Sequence, residues 1–151
     1  YSVRDFPWHS PQARGSVPTR SWPRASYEAA RVRLEARVPD QPDDPRYHGS
    51  RGLAYAGLGR GRDAVREGRR ATELLPIEKD ALYGMAHLYD LAVIYAKTGD
   101  RDSALREIRR LLAVPSFVSP IWLKLNPQWI PLRGDPQFKA LIAQGSSGGR
   151  N

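Results

Sequence analysis

The chain has 151 residues, 40% hydrophobic and 26% charged, which is an ordinary globular mixture long enough for one domain with its own core. It contains no Cys, which removes disulfides, thiolate metal sites and Cys nucleophiles together; no signal peptide is legible, and no apolar run approaches the roughly 20 residues that span a bilayer. The net charge of +8 is carried mainly by Arg and spread along the whole length among acidic residues, a pattern of solvated helix faces that disfavours a dedicated nucleic-acid surface.

Residues 1–25 read as an irregular Pro- and Arg-rich segment, because Pro7, Pro11, Pro18 and Pro23 interrupt any helix. Phe6, Trp8 and Trp22 are its packing candidates. The chain opens on Tyr1 rather than Met, so a fragment or a processed product is expected. Ser26 is placed to cap a helix running to about Val38, with Ala30 and Leu34 on one face. Asp44-Pro45 is a start signal with a mechanism: Asp accepts from free N–H groups, and Pro fits the first turn, where no N–H partner is needed. The helix from Pro45 is predicted to run to about Leu58. Gly59 and Gly61 then turn the chain, and a second helix runs to about Leu75 before Pro76. Asp80 is the expected cap of a helix that ends at Thr98–Gly99, and Asp100 caps another running to about Ala113. Pro115 and Pro120 punctuate the stretch beyond that helix. Asp135-Pro136 repeats the start signal for a last helix over about 136–144, and residues 145–151 read as a flexible tail. No stretch alternates with a period of two, so the expected class is all-α.

The chain repeats itself. Tyr55-x3-Gly59-x4-Ala64 recurs as Tyr95-x3-Gly99-x4-Ala104. Each copy joins a helix end, a glycine turn and the next helix start. Tyr packs across an antiparallel helix pair, Gly permits the reversal with positive φ, and Ala lets the two helices approach closely. This pattern resembles the tetratricopeptide repeat, whose unit is about 34 residues. In the first copy Gly52, Tyr55, Ala64, Ala71 and Pro76 match its small, aromatic and terminating positions. In the second copy Leu88, Leu91, Ala92, Tyr95, Ala104 and Ile108 match. His48, Arg51 and Gly68 depart, standing where that family usually has large apolar residues. The second copy lies 40 residues after the first, so a longer entering helix is expected.

Residues 115–142, PSFVSPIWLKLNPQWIPLRGDPQFKALI, carry a second resemblance. They are similar to the segment that closes tetratricopeptide regions at the C-terminus of bacterial signalling proteins: serine/threonine kinases, adenylate cyclases and winged-helix regulators. Leu125, Pro127, Trp129, Pro131, Leu132, Arg133, Asp135, Pro136 and Phe138 match, whereas Asn126 and Ile130 replace the usual Asp. Trp129, Leu132 and Phe138 are expected to cap the last repeat, as the end of a solenoid requires. The resemblance implies an α-solenoid of antiparallel helix pairs: a half repeat at 26–42, repeats at 45–76 and 80–115, and a cap at 116–144.

Little in the sequence points to catalysis. The run Gly57 to Asp63, GLGRGRD, lacks the preceding strand and the Lys-Ser/Thr of a phosphate loop and reads as a helix-pair turn. His9, His48 and His87 show no metal-ligand spacing, although His48 and His87 both fall on first helices, where a shared polar contact is conceivable. No Ser sits in a GxSxG elbow. Asp43 with Asp44 and Asp100 with Asp102 stand at helix starts, where carboxylates cap N–H groups and suit the dipole. Arg133-Gly134-Asp135 is a turn followed by a cap. The densest basic cluster, Arg66, Arg69 and Arg70, lies near a helix end, where it too reads as a solvated face. No metal or cofactor is expected.

The resemblance implies that first helices line a concave binding face, here Arg46, Gly49, Leu53, Ala56, Ala86, Tyr89, Val93 and Lys97. A peptide or partner helix could lie there, supplied by another protein or by an effector domain of the same chain. The Lys/Asn carboxylate clamp of some family members is absent, since Gly49 and Leu53 occupy its first-repeat positions. The expected function is therefore a cytoplasmic, non-catalytic protein-interaction module without a membrane segment. Two alternatives come from other classes: a regulatory segment of a kinase or cyclase, and weak nucleic-acid binding through dispersed Arg, which would show steep salt dependence.

Overall fold

A computed structural model describes residues 22–115 and 117–147 of the chain. The described residues are helical throughout and contain no strand. The order is α1 (Arg24–Arg37), α2 (Pro45–Gly57), α3 (Gly61–Leu74), α4 (Tyr83–Thr98), α5 (Arg101–Leu112), α6 (Pro120–Leu125) and α7 (Pro136–Ser147). Short 3-10 stretches lie at Val38–Asp40 and Pro127–Leu132. Phe6, Trp8 and His9 lie outside the described residues; Trp22 is half-buried.

Most helix starts follow the local chemistry. The Asp44 carboxylate accepts from the Arg46 N–H at 2.9 Å, with Pro45 opening the first turn. Asp100 accepts from the Ser103 N–H at 3.1 Å, and Asp135 from the Gln137 N–H at 2.8 Å. Asp80 is displaced from its expected role: Leu82 holds the cap position of α4, and the Asp80 carboxylate accepts from the Leu82 and Tyr83 N–H groups at 3.0 and 2.9 Å from the turn before it. Ser26 is a correction, because its side chain does not cap α1. The helix begins two residues earlier behind Pro23, and the Ser26 N–H already donates to the Pro23 carbonyl at 2.9 Å. Ser26 therefore sits inside the first turn. The segment assigned to residues 1–25 thus ends at the helix start at Arg24. The tail is shortened too, because the backbone of α7 continues to Ser147; extending a formed helix costs far less than starting one.

The two glycine turns are alike. Gly59 has φ +78° and Gly99 φ +85°, both left-handed, and they are the only positive-φ residues described. In each turn the residue after the glycine donates back to the tyrosine carbonyl: Arg60 to Tyr55 at 2.9 Å and Asp100 to Tyr95 at 3.0 Å. The run at 57–63 is thus the end of α2, a turn and the start of α3. The second pair's entering helix is longer, as its spacing predicts: α4 has 16 residues against 13 in α2.

Helix α2 packs on α1, α3 and α4, while α4 also packs on α3 and α5. One apolar cluster runs from Leu53 and Tyr55 through the buried face of α4 to α5 and the closing segment. Ala64, Ala71, Ala92 and Ala104 are fully buried where helices cross. Gly52 allows a close crossing: a Cβ there would stand 2.8 Å from Ile94 Cδ1 and 3.0 Å from the Ala64 carbonyl oxygen. Trp129, Leu132 and Phe138 are fully buried against this cluster, each contributing on the order of 2–3 kcal/mol of burial. Asn126, which departs from the closing pattern, still caps as an Asp there would, its side-chain oxygen accepting from the Gln128 N–H at 2.9 Å.

Candidate functional site

The face that α2 and α4 were expected to offer is largely interior. Val93 is 1% exposed, Leu53 7% and Ala56 9%, and all three belong to the apolar cluster. Gly49 is also buried, beneath Asp90 and His87. Gly49, Leu53, Ala56 and Val93 are thus removed from the accessible surface by neighbours that the sequence does not reveal. Tyr89 is half-buried under the chain's own closing segment: Phe117, Trp122 and Trp129 meet its ring edge-on at 5.7, 5.2 and 5.6 Å. At the other end of α4, the Lys97 ammonium lies 6.0 Å from the Tyr27 ring centroid of α1, and burial lowers its pKa. Arg46, exposed and paired with Asp44 at 2.6 Å, and the half-buried Ala86 remain the accessible core of that face.

Each repeat tyrosine anchors its pair to the preceding second helix. The Tyr55 hydroxyl donates to Glu35 of α1 at 2.7 Å. The Tyr95 hydroxyl accepts from Arg69 Nε of α3 at 2.9 Å. The other repeat positions terminate or space helices; Pro76 and Leu88 also line a small pocket with Thr72, Glu73 and Arg110.

His48 and Arg51, two of the three departures from the repeat pattern, meet in one polar contact. Glu67 of α3, 4% exposed, accepts from His48 Nδ1 at 2.8 Å and from Arg51 Nη2 at 2.6 Å. His48 Nε2 meets the Pro42 carbonyl at 2.7 Å. Both ring nitrogens face acceptors, so the favoured species is the imidazolium. The Glu67 bond raises the His48 pKa, helped by the Pro42 carbonyl and against burial. Burial pushes Glu67 up, yet the bonds from His48 and Arg51 outweigh it and the carboxyl ends below its usual range. The two His48 nitrogens are therefore taken up by Glu67 and the Pro42 carbonyl.

Asp90 is a further buried titratable group. It stands in the middle of α4, 7% exposed, with Oδ2 3.2 Å from where a Gly49 Cβ would lie. Burial alone pushes its carboxyl up to about 7. Sequence reading named neither Glu67 nor Asp90. Glu67 had a signal: Arg66-Glu67-Gly68-Arg69-Arg70 recurs 40 residues later as Arg106-Glu107-Ile108-Arg109-Arg110. For Asp90 the signal was an acidic residue inside an otherwise apolar helix. Among the described residues no group of three His, Asp or Glu could hold a metal, and no helix is long and apolar enough to cross a membrane. Comparison with known proteins finds no matching family model, curated protein or solved structure.

Proposed function

We propose that the chain is a tetratricopeptide-type repeat module that binds a protein segment without catalysing a reaction. The observation that carries this reading is the rebuilding of one unit 40 residues along: a tyrosine-anchored helix, a left-handed glycine turn and an alanine-spaced second helix. A unit of this kind buries its apolar face only by stacking on a neighbour, and stacked units present extended surfaces for docking. The buried titratable groups support the non-catalytic reading. His48, Arg51 and Glu67 are committed to one another, and Asp90 is packed between helices.

The docking face is the accessible remainder between α2 and α4, centred on Arg46 and Ala86 and bounded by Lys97 and the Tyr89 edge. It is smaller than the resemblance implies, and it suits a short peptide or one helix edge. The partner is another protein or an effector domain of a longer bacterial signalling protein, and the compartment is the cytoplasm. Selection of peptides from a displayed library on the folded chain tests this. Selected peptides should lose at least about tenfold in affinity by calorimetry in both Arg46→Glu and Ala86→Arg. Equal binding to both variants, or a library with no binder, overturns the reading.

A further inference from the structure

Helix α3 carries Arg62, Arg66, Arg69 and Arg70, spaced i, i+4, i+7 and i+8. These side chains, with Val65 and with Thr98 from the end of α4, line one open groove. Its arginines include the cluster that reads in the sequence as a solvated helix face. The guanidinium groups are held loosely. No described residue forms an ion pair with Arg62. Arg66 is 64% exposed and reaches Asp63 at 2.9 Å and, more distantly, the buried Glu67 at 3.5 Å. Arg70 reaches Asp43 at 3.2 Å and Glu73 at 3.9 Å, and those carboxylates are 80% and 66% exposed. Arg69 donates through Nε to the Tyr95 hydroxyl at 2.9 Å and also lines the groove. Exposed pairs of this kind hold by less than about 1 kcal/mol, so an incoming carboxylate can replace them.

We infer that this groove is a second docking surface, and that its occupant is an extended acidic peptide segment. Charge complementarity sets the sign of the ligand, and spacing sets its form. Successive arginines one helical turn apart rise about 5–6 Å, close to the roughly 6.6–6.8 Å between alternate side chains of an extended strand. Carboxylates on every second residue can each meet a planar guanidinium fork. A nucleic-acid strand fits less well. None of the side chains lining the groove is aromatic, so bases have nothing to stack on, and Glu67 and Glu73 interrupt the positive lining. Val65 offers a small apolar floor that suits a side chain better than a phosphate.

The inference does not depend on the proposed face between α2 and α4, because the groove shares none of Arg46, Ala86, Tyr89 and Lys97 with it. The experiment is fluorescence anisotropy of the full chain with a labelled peptide of alternating Glu and Ser at low ionic strength. A Gln/Ser peptide and a single-stranded oligonucleotide of equal charge are run beside it. The Glu/Ser peptide should bind, and the Gln/Ser peptide should bind at least about tenfold more weakly. The triple variant Arg62→Gln, Arg66→Gln, Arg70→Gln should lose at least about tenfold, with helical content and melting unchanged. Amide shift changes in the unmodified chain should centre on Gly61–Glu73 and Thr98, which needs no variant to fold. A loss below tenfold, tighter binding of the oligonucleotide, no binding of the Glu/Ser peptide, or shift changes centred on Arg46 and Ala86 would each overturn the inference. The last result would instead assign the peptide to the face between α2 and α4.

Discussion

The pairs α2–α3 and α4–α5 are the same design executed with different chemistry. Both place a tyrosine four residues before a left-handed glycine and an alanine five residues after it. Both carry an Arg-Glu-x-Arg-Arg run on the second helix, and Glu67 and Glu107 are 4% and 5% exposed. Their partners differ. Glu67 reaches across to His48 and Arg51 on α2. Glu107 stays on its own helix, bound by Arg106 at 3.1 Å and Arg110 at 3.0 Å, because Leu88 and Leu91 stand where His48 and Arg51 stand. Gly68 makes room beside Leu91 and Ile94 where the second pair has Ile108. One backbone arrangement is thus held once by a buried ion cluster and once by apolar side chains. Cost and pH response should therefore separate the two pairs.

The largest separation is expected from removing the shared glutamate. Glu67→Ala takes the carboxylate from the buried His48 and the half-buried Arg51 and should cost about 3–5 kcal/mol in urea unfolding. Glu107→Ala removes two contacts to half-exposed arginines and should cost about 1 kcal/mol or less. Equal losses would erase the distinction. Converting the first pair to apolar chemistry sharpens it: His48→Leu with Arg51→Leu and Glu67→Leu should be neutral or stabilising, since desolvation of the ions disappears with them.

Next come the pH responses. Asp90 is ordinary when unfolded and raised to about 7 when folded. Between those values the folded state holds the extra proton, so stability falls as pH rises through that window. Asp90→Asn should therefore stabilise the chain by a few kcal/mol at about pH 8 and change little at about pH 4. His48 adds a slope of the same sign. Its raised pKa contributes stability that is complete below its unfolded value and is lost as pH rises through the folded one, and His48→Gln should flatten that part of the melting profile. Glu67 acts oppositely: its lowered pKa contributes stability that is lost as pH falls through the folded value.

A smaller difference is expected from helix spacing. Gly52→Val must push against the Ala64 backbone and should cost about 2–3 kcal/mol by thermal unfolding, whereas Ala92→Gly in the second pair should cost about 1 kcal/mol. The smallest effect tests what the pairs share. Gly59→Ala and Gly99→Ala should each cost about 1–2 kcal/mol and match closely, because both glycines have positive φ and open space around them.

The sequence by itself determined where the helices stop and most of where they start. Asp44, Asp100 and Asp135 cap, and Gly59 and Gly99 turn, because a cap or a left-handed turn involves atoms only two to five residues apart. It also determined the recurrence of the pair and the apolar character of Trp129, Leu132 and Phe138. Only the tertiary structure decided which residues of α2 and α4 face solvent. Leu53 and Val93 joined the core, and Phe117 and Trp122 covered Tyr89, because burial is set by elements that are neighbours in space and distant along the chain. The same reason hid the ion cluster. His48 and Arg51 look like breaks in an apolar pattern until α3 brings Glu67 between them.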